Sequence, residues 1–123
     1  MSRLHHIRME LARDAGAPDG DPGVGYDLVL PLDDNRRLAG AEAFANQPQA
    51  GRVRRFRDGE TEAIGQLKHG PGGVWRLEFE GEPRPEVAFR LGEEQFQPGE
   101  YVAIREADGD YHPYRIVSTR ELD

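Results

Sequence analysis

The chain contains no cysteine. That excludes disulfide bonds and every thiolate metal site, and it agrees with a reducing compartment. Lysine is nearly absent: Lys68 is the only one, so the positive charge is carried by arginine. Basic residues are in deficit overall, 16 against 23 acidic, for a net charge of −7. Nonspecific nucleic-acid binding and attachment to an anionic membrane both require a surplus of basic residues on one face, and the total disfavours them. No apolar run approaches the ~18–20 residues of a membrane-spanning helix. The first residues, Met1-Ser2-Arg3-Leu4-His5-His6, carry no apolar segment of the secretory type, so a cytoplasmic location is the expectation.

What the chain has in excess is glycine and proline, 15 and 9 of 123 residues. They cluster at 16–25, 70–73, 81–85 and 98–99, and the segments between them alternate apolar with polar residues. Strict alternation marks half-buried strands, and clusters of Gly and Pro mark the turns that join them. Strands are expected at Leu4–Arg13, Tyr26–Leu32, Arg52–Arg57, Glu62–His69, Val74–Glu80, Glu86–Leu91, Tyr101–Glu106 and Tyr111–Arg120. Tyr26, Leu28, Leu30 and Leu32 point inward, as do Trp75, Leu77 and Phe79, and Val87, Phe89 and Leu91. Pro31 marks an edge or an ending. The odd spacing of Ile64 and Leu67 around Gly65 suggests a bulge. Asp108-Gly109 suits a tight hairpin. One short helix is expected within Asp33–Pro48, capped by Asp33, Asp34 or Asn35. Residues 14–25 read as a long loop and the first place to look for mobility and function.

Seven or eight short antiparallel strands with one short helix make an all-β single domain over 1–123. A mostly meandering β-barrel is the first reading and a two-sheet sandwich the alternative.

Catalytic motifs are scarce. There is no Gly-x-Ser-x-Gly elbow for Ser2 or Ser118 to occupy. Asp19-Gly20-Asp21-Pro22-Gly23 lacks the ligand pattern of a calcium loop. Gly70-Pro71-Gly72-Gly73 precedes a strand rather than a helix, so it is a turn and not a phosphate cradle. His5, His6, His69 and His112 show no chelating spacing, and adjacent His5 and His6 point to opposite faces of a strand. No cofactor is expected.

The candidate site residues are Arg52, Arg54, Arg55 and Arg57, together with Trp75, Tyr101 and Tyr114. Four guanidinium groups in six residues can contact an anion, a phosphate or RNA, with aromatic rings stacking on bases. The competing reading pairs them with carboxylates on neighbouring strands, Glu60, Glu62, Glu78 and Glu80. Trp75, with Tyr26, Tyr101 and Tyr114, can instead line an open barrel mouth.

Pro98-Gly99-Glu100-Tyr101-Val102-Ala103-Ile104-Arg105, followed by Asp108-Gly109 and Tyr114-Arg115-Ile116-Val117, resembles a group of small conserved hypothetical bacterial β-rich proteins. Val53-Arg54-Arg55-Phe56 and Pro71-Gly72-Gly73-Val74-Trp75 add to the likeness, which extends over most of the chain. The group has no assigned activity, so the resemblance implies a self-contained domain and no catalytic residue. The functional expectation is a non-catalytic module that binds a protein or small ligand, with a protein partner or a second copy engaged through an edge strand. The alternatives are RNA, single-stranded DNA or another polyanion bound through Arg52–Arg57, and an enzyme or metalloprotein whose histidines and carboxylates converge only in the fold.

Overall fold

A computed structural model describes residues 2–70, 74–89, 91–93 and 95–122. Eight strands follow one another around a closed antiparallel barrel: β1 (Arg3–Leu11), β2 (Asp21–Leu32), β3 (Arg52–Arg57), β4 (Glu60–His69), β5 (Trp75–Phe79), β6 (Glu86–Phe89), β7 (Tyr101–Arg105) and β8 (Tyr111–Glu121). The expected meander is correct, and the sandwich is not what forms. Closure comes from β1 pairing with β8 as well as with β2. Each strand therefore has a neighbour on both sides, and partner addition to a sheet edge would require a ladder to open.

The inward positions fill the barrel. Ile7, Met9, Tyr26, Leu28, Leu30, Val53, Leu67, Leu77, Phe79, Ile104 and Ile116 form one continuous buried cluster. One end is closed by the long β2–β3 connection and the segment after β6. Leu38 and Phe44 pack on the cluster there, and Leu91 and Phe96 are part of it. The Phe96 amide donates to the Arg36 carbonyl (2.8 Å), which ties the two segments together.

Four local expectations are corrected. The loop expected at 14–25 is shorter, because β2 begins at Asp21, which pairs with Leu11, and after an irregularity at 22–24 the ladder with β1 runs on from Gly25, opposite Glu10. Gly25 lies inside the strand, where a Cβ would come within 1.9 Å of the Met9 carbonyl oxygen. The remaining loop is a bonded miniature hairpin: Asp14 and Ala17 exchange backbone hydrogen bonds of 3.0 Å, and Ala12 donates to Pro113.

The helix, α1, spans only Ala41–Ala45, with Gly40 as its N-cap. Asp33 instead builds a turn, its carboxylate accepting from the amides of Asn35 (2.8 Å) and Arg37 (3.1 Å). The bulge sits at Glu62, which has no partner between the pairs Arg55↔Ala63 and Phe56↔Thr61. Gly65 serves a different purpose. It lets β4 approach β5 so closely that a Cβ would lie 2.0 Å from the Glu78 carbonyl oxygen.

The fourth correction reverses a whole strand. In β6, Glu86 and Ala88 point inward, while Val87 and Phe89 point out. Leu91 is buried as expected, but in the 3-10 turn Leu91–Glu93 beyond the strand. Pro31 lies where β2 has parted from β3, whose last pair is Leu28↔Val53, so its missing N–H costs no ladder bond there. The Asp108-Gly109 hairpin forms as expected, with Gly109 at φ +85°. The turn expected at Gly70–Gly73 falls largely on 71–73, outside the described residues.

Candidate functional site at the mouth of the barrel

The end of the barrel opposite α1 is polar. Strand alternation sends Tyr26 (β2), Arg55 (β3), Glu86 (β6) and Tyr114 (β8) inward near this end. The turns above it bring Glu82, Glu106 and Asp108 over the opening. Arg55 is the hub. Its Nε donates to Glu62 (2.7 Å) and one terminal nitrogen to Glu86 (2.9 Å) and Glu82 (3.1 Å); the other terminal nitrogen also reaches Glu82. The guanidinium plane lies 4.6 Å over the Phe79 ring, which supports it from below. Arg57 shares Glu62 through its Nε at 2.8 Å.

Glu86 is the only buried charged residue among those described, at 4% exposure. Its carboxylate accepts the Tyr26 hydroxyl at 2.5 Å as well as Arg55, so both oxygens are satisfied. Tyr114 donates to Glu106, and its ring meets that of Tyr26 edge to face, with centroids 4.9 Å apart. Two Tyr–Glu pairs thus stand side by side in the throat.

Burial dominates the electrostatics here. It pushes the Glu86 carboxyl up, against the opposing pull of Tyr26 and Arg55. It also pushes Tyr26 and Tyr114 well above the ordinary phenol value. Burial alone would lower Arg55, but Glu82, Glu86 and Glu62 outweigh it and hold the guanidinium charged. Glu62 shows the same contest, and Arg57 and Arg55 keep its carboxyl low.

Beside the opening, His112 bridges two turns. Its Nδ1 is 2.6 Å from Asp14 and its Nε2 2.7 Å from Asp108. Ionised carboxylates only accept, so both ring nitrogens donate and the imidazole is cationic. The Asp14 hydrogen bond, with help from Asp108 and against burial, raises the His112 pKa to about 9.

The structure separates most of the residues singled out from sequence. Arg55, Arg57 and Tyr114 gather at the mouth. Arg54 lies on the outside of the barrel, bound to Asp27 (2.7 Å) and Thr61 (2.6 Å). There it shares the outer face of Phe56 with Arg8, whose guanidinium is 4.2 Å from the ring centre. Arg52 is exposed near the far end of β3, and Tyr101 faces solvent on the outer wall. Trp75 lies at the opposite end from the mouth, stacked on His69 (4.6 Å) and next to Phe44 (5.4 Å). It does not line a mouth with Tyr26, Tyr101 and Tyr114.

Three of the four β3 arginines are thus held by carboxylates, as the competing reading had it; of the partners it named Glu62 is one, and the others are Asp27, Glu82 and Glu86. The histidines also lie apart. His6 binds Asp27 (3.0 Å) on the outside, and His5 bonds to the Arg3 carbonyl. Among the described residues, no three His, Asp or Glu side chains come together as a metal site.

Sequence reasoning missed Glu86, Glu82, Glu106 and the two hydrogen bonds from His112 to Asp14 and Asp108. The signal for Glu86 was weak: Val87 and Phe89 are the bulkier residues, and hydrophobicity alone turned the strand around. Comparison of the chain with protein-family models, curated proteins and solved structures gives no match.

Proposed function

We propose that the protein is a non-catalytic binding module that holds a small ligand at the polar mouth of its barrel, and that the ligand is a cation presenting N–H donors. The observation that carries this reading is the donor and acceptor balance of the mouth. The opening encloses about 410 Å³ between Arg55, Arg57, Arg84 and the carboxylates of Glu62, Glu82, Glu86, Glu106 and Asp108. The Arg55 donors are directed at Glu62, Glu82 and Glu86, and the Tyr26 and Tyr114 hydroxyls at Glu86 and Glu106. What remains is acceptor capacity on the outer carboxylates Glu62, Glu82, Glu106 and Asp108, set against the guanidiniums of Arg57 and Arg84 and the His112 imidazolium on Asp108. An arriving anion would meet Arg55 with every nitrogen engaged and only the outer nitrogens of Arg57 and Arg84 beside the carboxylates, whereas an amine or guanidine completes unfilled lone pairs.

The throat below is filled by Tyr26, Phe79 and Tyr114, so the ligand sits in the opening and not in the core. This packing also favours binding over catalysis, because Glu86 is shielded from any bound molecule by Arg55.

The test is a titration followed by amide chemical shifts, using short alkyl diamines and alkylguanidines beside carboxylates of equal length. The expected result is saturable shifts at Glu82, Ala107 and Asp108 with the cations, weakened about tenfold or more in Glu106→Gln, which loses a charged acceptor. Equal or stronger binding of the carboxylates, or no shift with any probe, overturns the reading.

A further inference from the structure

We propose that the outer wall of β6, β7 and β8 is a binding surface for single-stranded nucleic acid, independent of the mouth. Alternation places Val87 and Phe89, Tyr101 and Arg105, and Tyr111 and Arg115 on the outside. Three aromatic rings are exposed among the described residues: Phe89 (49%), Tyr101 (55%) and Tyr111 (48%). All three lie on this wall.

The register arranges them in a pattern. Tyr101 stands opposite Arg115, and Tyr111 stands opposite Arg105, so each exposed tyrosine has a guanidinium directly across the ladder. Phe89, opposite Ala103, brings its ring within 5.7 Å of Tyr111. Among the described residues, neither Arg105 nor Arg115 forms an ion pair. That is the reverse of β3, where arginines are numerous but three of four are engaged. The polyanion-binding chemistry expected at Arg52–Arg57 is available here instead.

Rings that lie on a sheet surface offer faces for unstacked bases, and unpaired guanidiniums between them take the phosphates. A duplex fits poorly, because its bases are already stacked and a broad barrel wall does not enter a groove. The acids Glu10, Asp19 and Asp21 line the cleft beside Tyr101 and Arg115, so they bound the track on the β1 side. With two arginines on a chain of net charge −7, binding is short-tracked and salt-sensitive.

The experiment is fluorescence anisotropy of labelled oligo(U) and oligo(dT) at low salt, with the corresponding duplexes alongside. Single strands are expected to bind in preference to duplexes, and the two oligomers separate RNA from DNA as the source. Tyr101→Ala and Tyr111→Ala are each expected to weaken binding roughly tenfold. Both residues are about half exposed, and an unchanged melting curve confirms that the variants fold. Arg105→Ala with Arg115→Ala is expected to flatten the salt slope by about 1.4, while Arg54→Ala leaves affinity unchanged. The proposal is overturned by any of three results: neither oligomer binds saturably, duplexes bind better, or the tyrosine variants bind like the parent while the arginine variants do not. Loss of binding in Arg54→Ala equal to that in Arg105→Ala also overturns it, by placing the surface elsewhere.

Discussion

Replacing Arg55 with methionine keeps much of the side-chain volume over Phe79 but leaves Glu86 without its counter-charge. The two side chains are 14% and 6% exposed, and their contact is 2.9 Å. Removing one partner of a buried pair typically costs ~3–5 kcal/mol, because the survivor stays desolvated and uncompensated. The other Arg55 partners, Glu62 and Glu82, are about one-third exposed and return to water at little cost. The low end, ~3 kcal/mol, is therefore expected.

At about 2.1 cal/mol/K per residue, the unfolding entropy of 123 residues is roughly 0.26 kcal/mol/K, which places the Tm drop near 12 °C. Trp75 is the single tryptophan, so urea denaturation followed by its fluorescence reads the change directly. Two internal controls follow from the same geometry. Adding Glu86→Gln to Arg55→Met removes the stranded charge while leaving an acceptor for Tyr26, so the double variant is more stable than Arg55→Met alone.

Acidification works in the same direction. Burial already raises the folded-state pKa of Glu86, and loss of Arg55 raises it further. The folded state then holds the proton more tightly than the unfolded chain. The deficit is largest at neutral pH and shrinks as pH falls through the folded-state pKa. A cost below ~1 kcal/mol for Arg55→Met, outside the range for a buried pair, or a further loss on adding Glu86→Gln, would refute the assignment of Arg55 and Glu86 as a coupled buried pair.

Tyr26→Phe deletes the 2.5 Å donor to Glu86 and is expected to cost ~1.5–3 kcal/mol, the range for a hydrogen bond to a charged group, read by the same urea titration. Gly65→Ala forces a methyl to within 2.0 Å of the Glu78 carbonyl and is expected to cost at least ~2–3 kcal/mol, whereas Gly16→Ala meets nothing within 4 Å and stays within ~0.5 kcal/mol; similar melting of the two would contradict the close β4–β5 approach. For His112, the folded pKa of about 9 exceeds the ordinary 6.5, so its stabilisation is complete below pH ~6.5 and disappears as pH rises through ~9. The Tm difference between the parent protein and His112→Ala should therefore narrow over that window, and a constant difference from pH 6 to 10 would count against the double carboxylate clamp.

Much of the barrel is written locally. Alternation in Tyr26–Leu32 and Trp75–Phe79 places apolar side chains on one face, and Asp108-Gly109 turns the last hairpin, because these are properties of a few adjacent residues. Pro31 signals the place where β2 leaves its neighbour for the same reason. The failures have a common cause. Gly25 reads as loop residue, yet it is a strand glycine demanded by the Met9 carbonyl across the ladder. Glu86 reads as a surface acid, yet it points inward because Tyr26 and Arg55, 60 and 31 residues away along the chain, hold both of its oxygens. Val87 and Phe89 are then turned outward, which creates the aromatic wall.

Local sequence chemistry is enough for a β domain of short strands, the positions of most of its turns, and a concentration of guanidinium groups on Arg52–Arg57. Folding is what closes β1 onto β8, engages three of those four arginines with acids, and brings Arg105 and Arg115, without an ion pair among the described residues, together with the exposed rings on β6–β8. The physical reason is range. Side-chain parity and turn chemistry are settled within a few bonds, whereas barrel closure, burial of a charge and the pairing of an ion depend on groups that only folding brings within hydrogen-bonding distance.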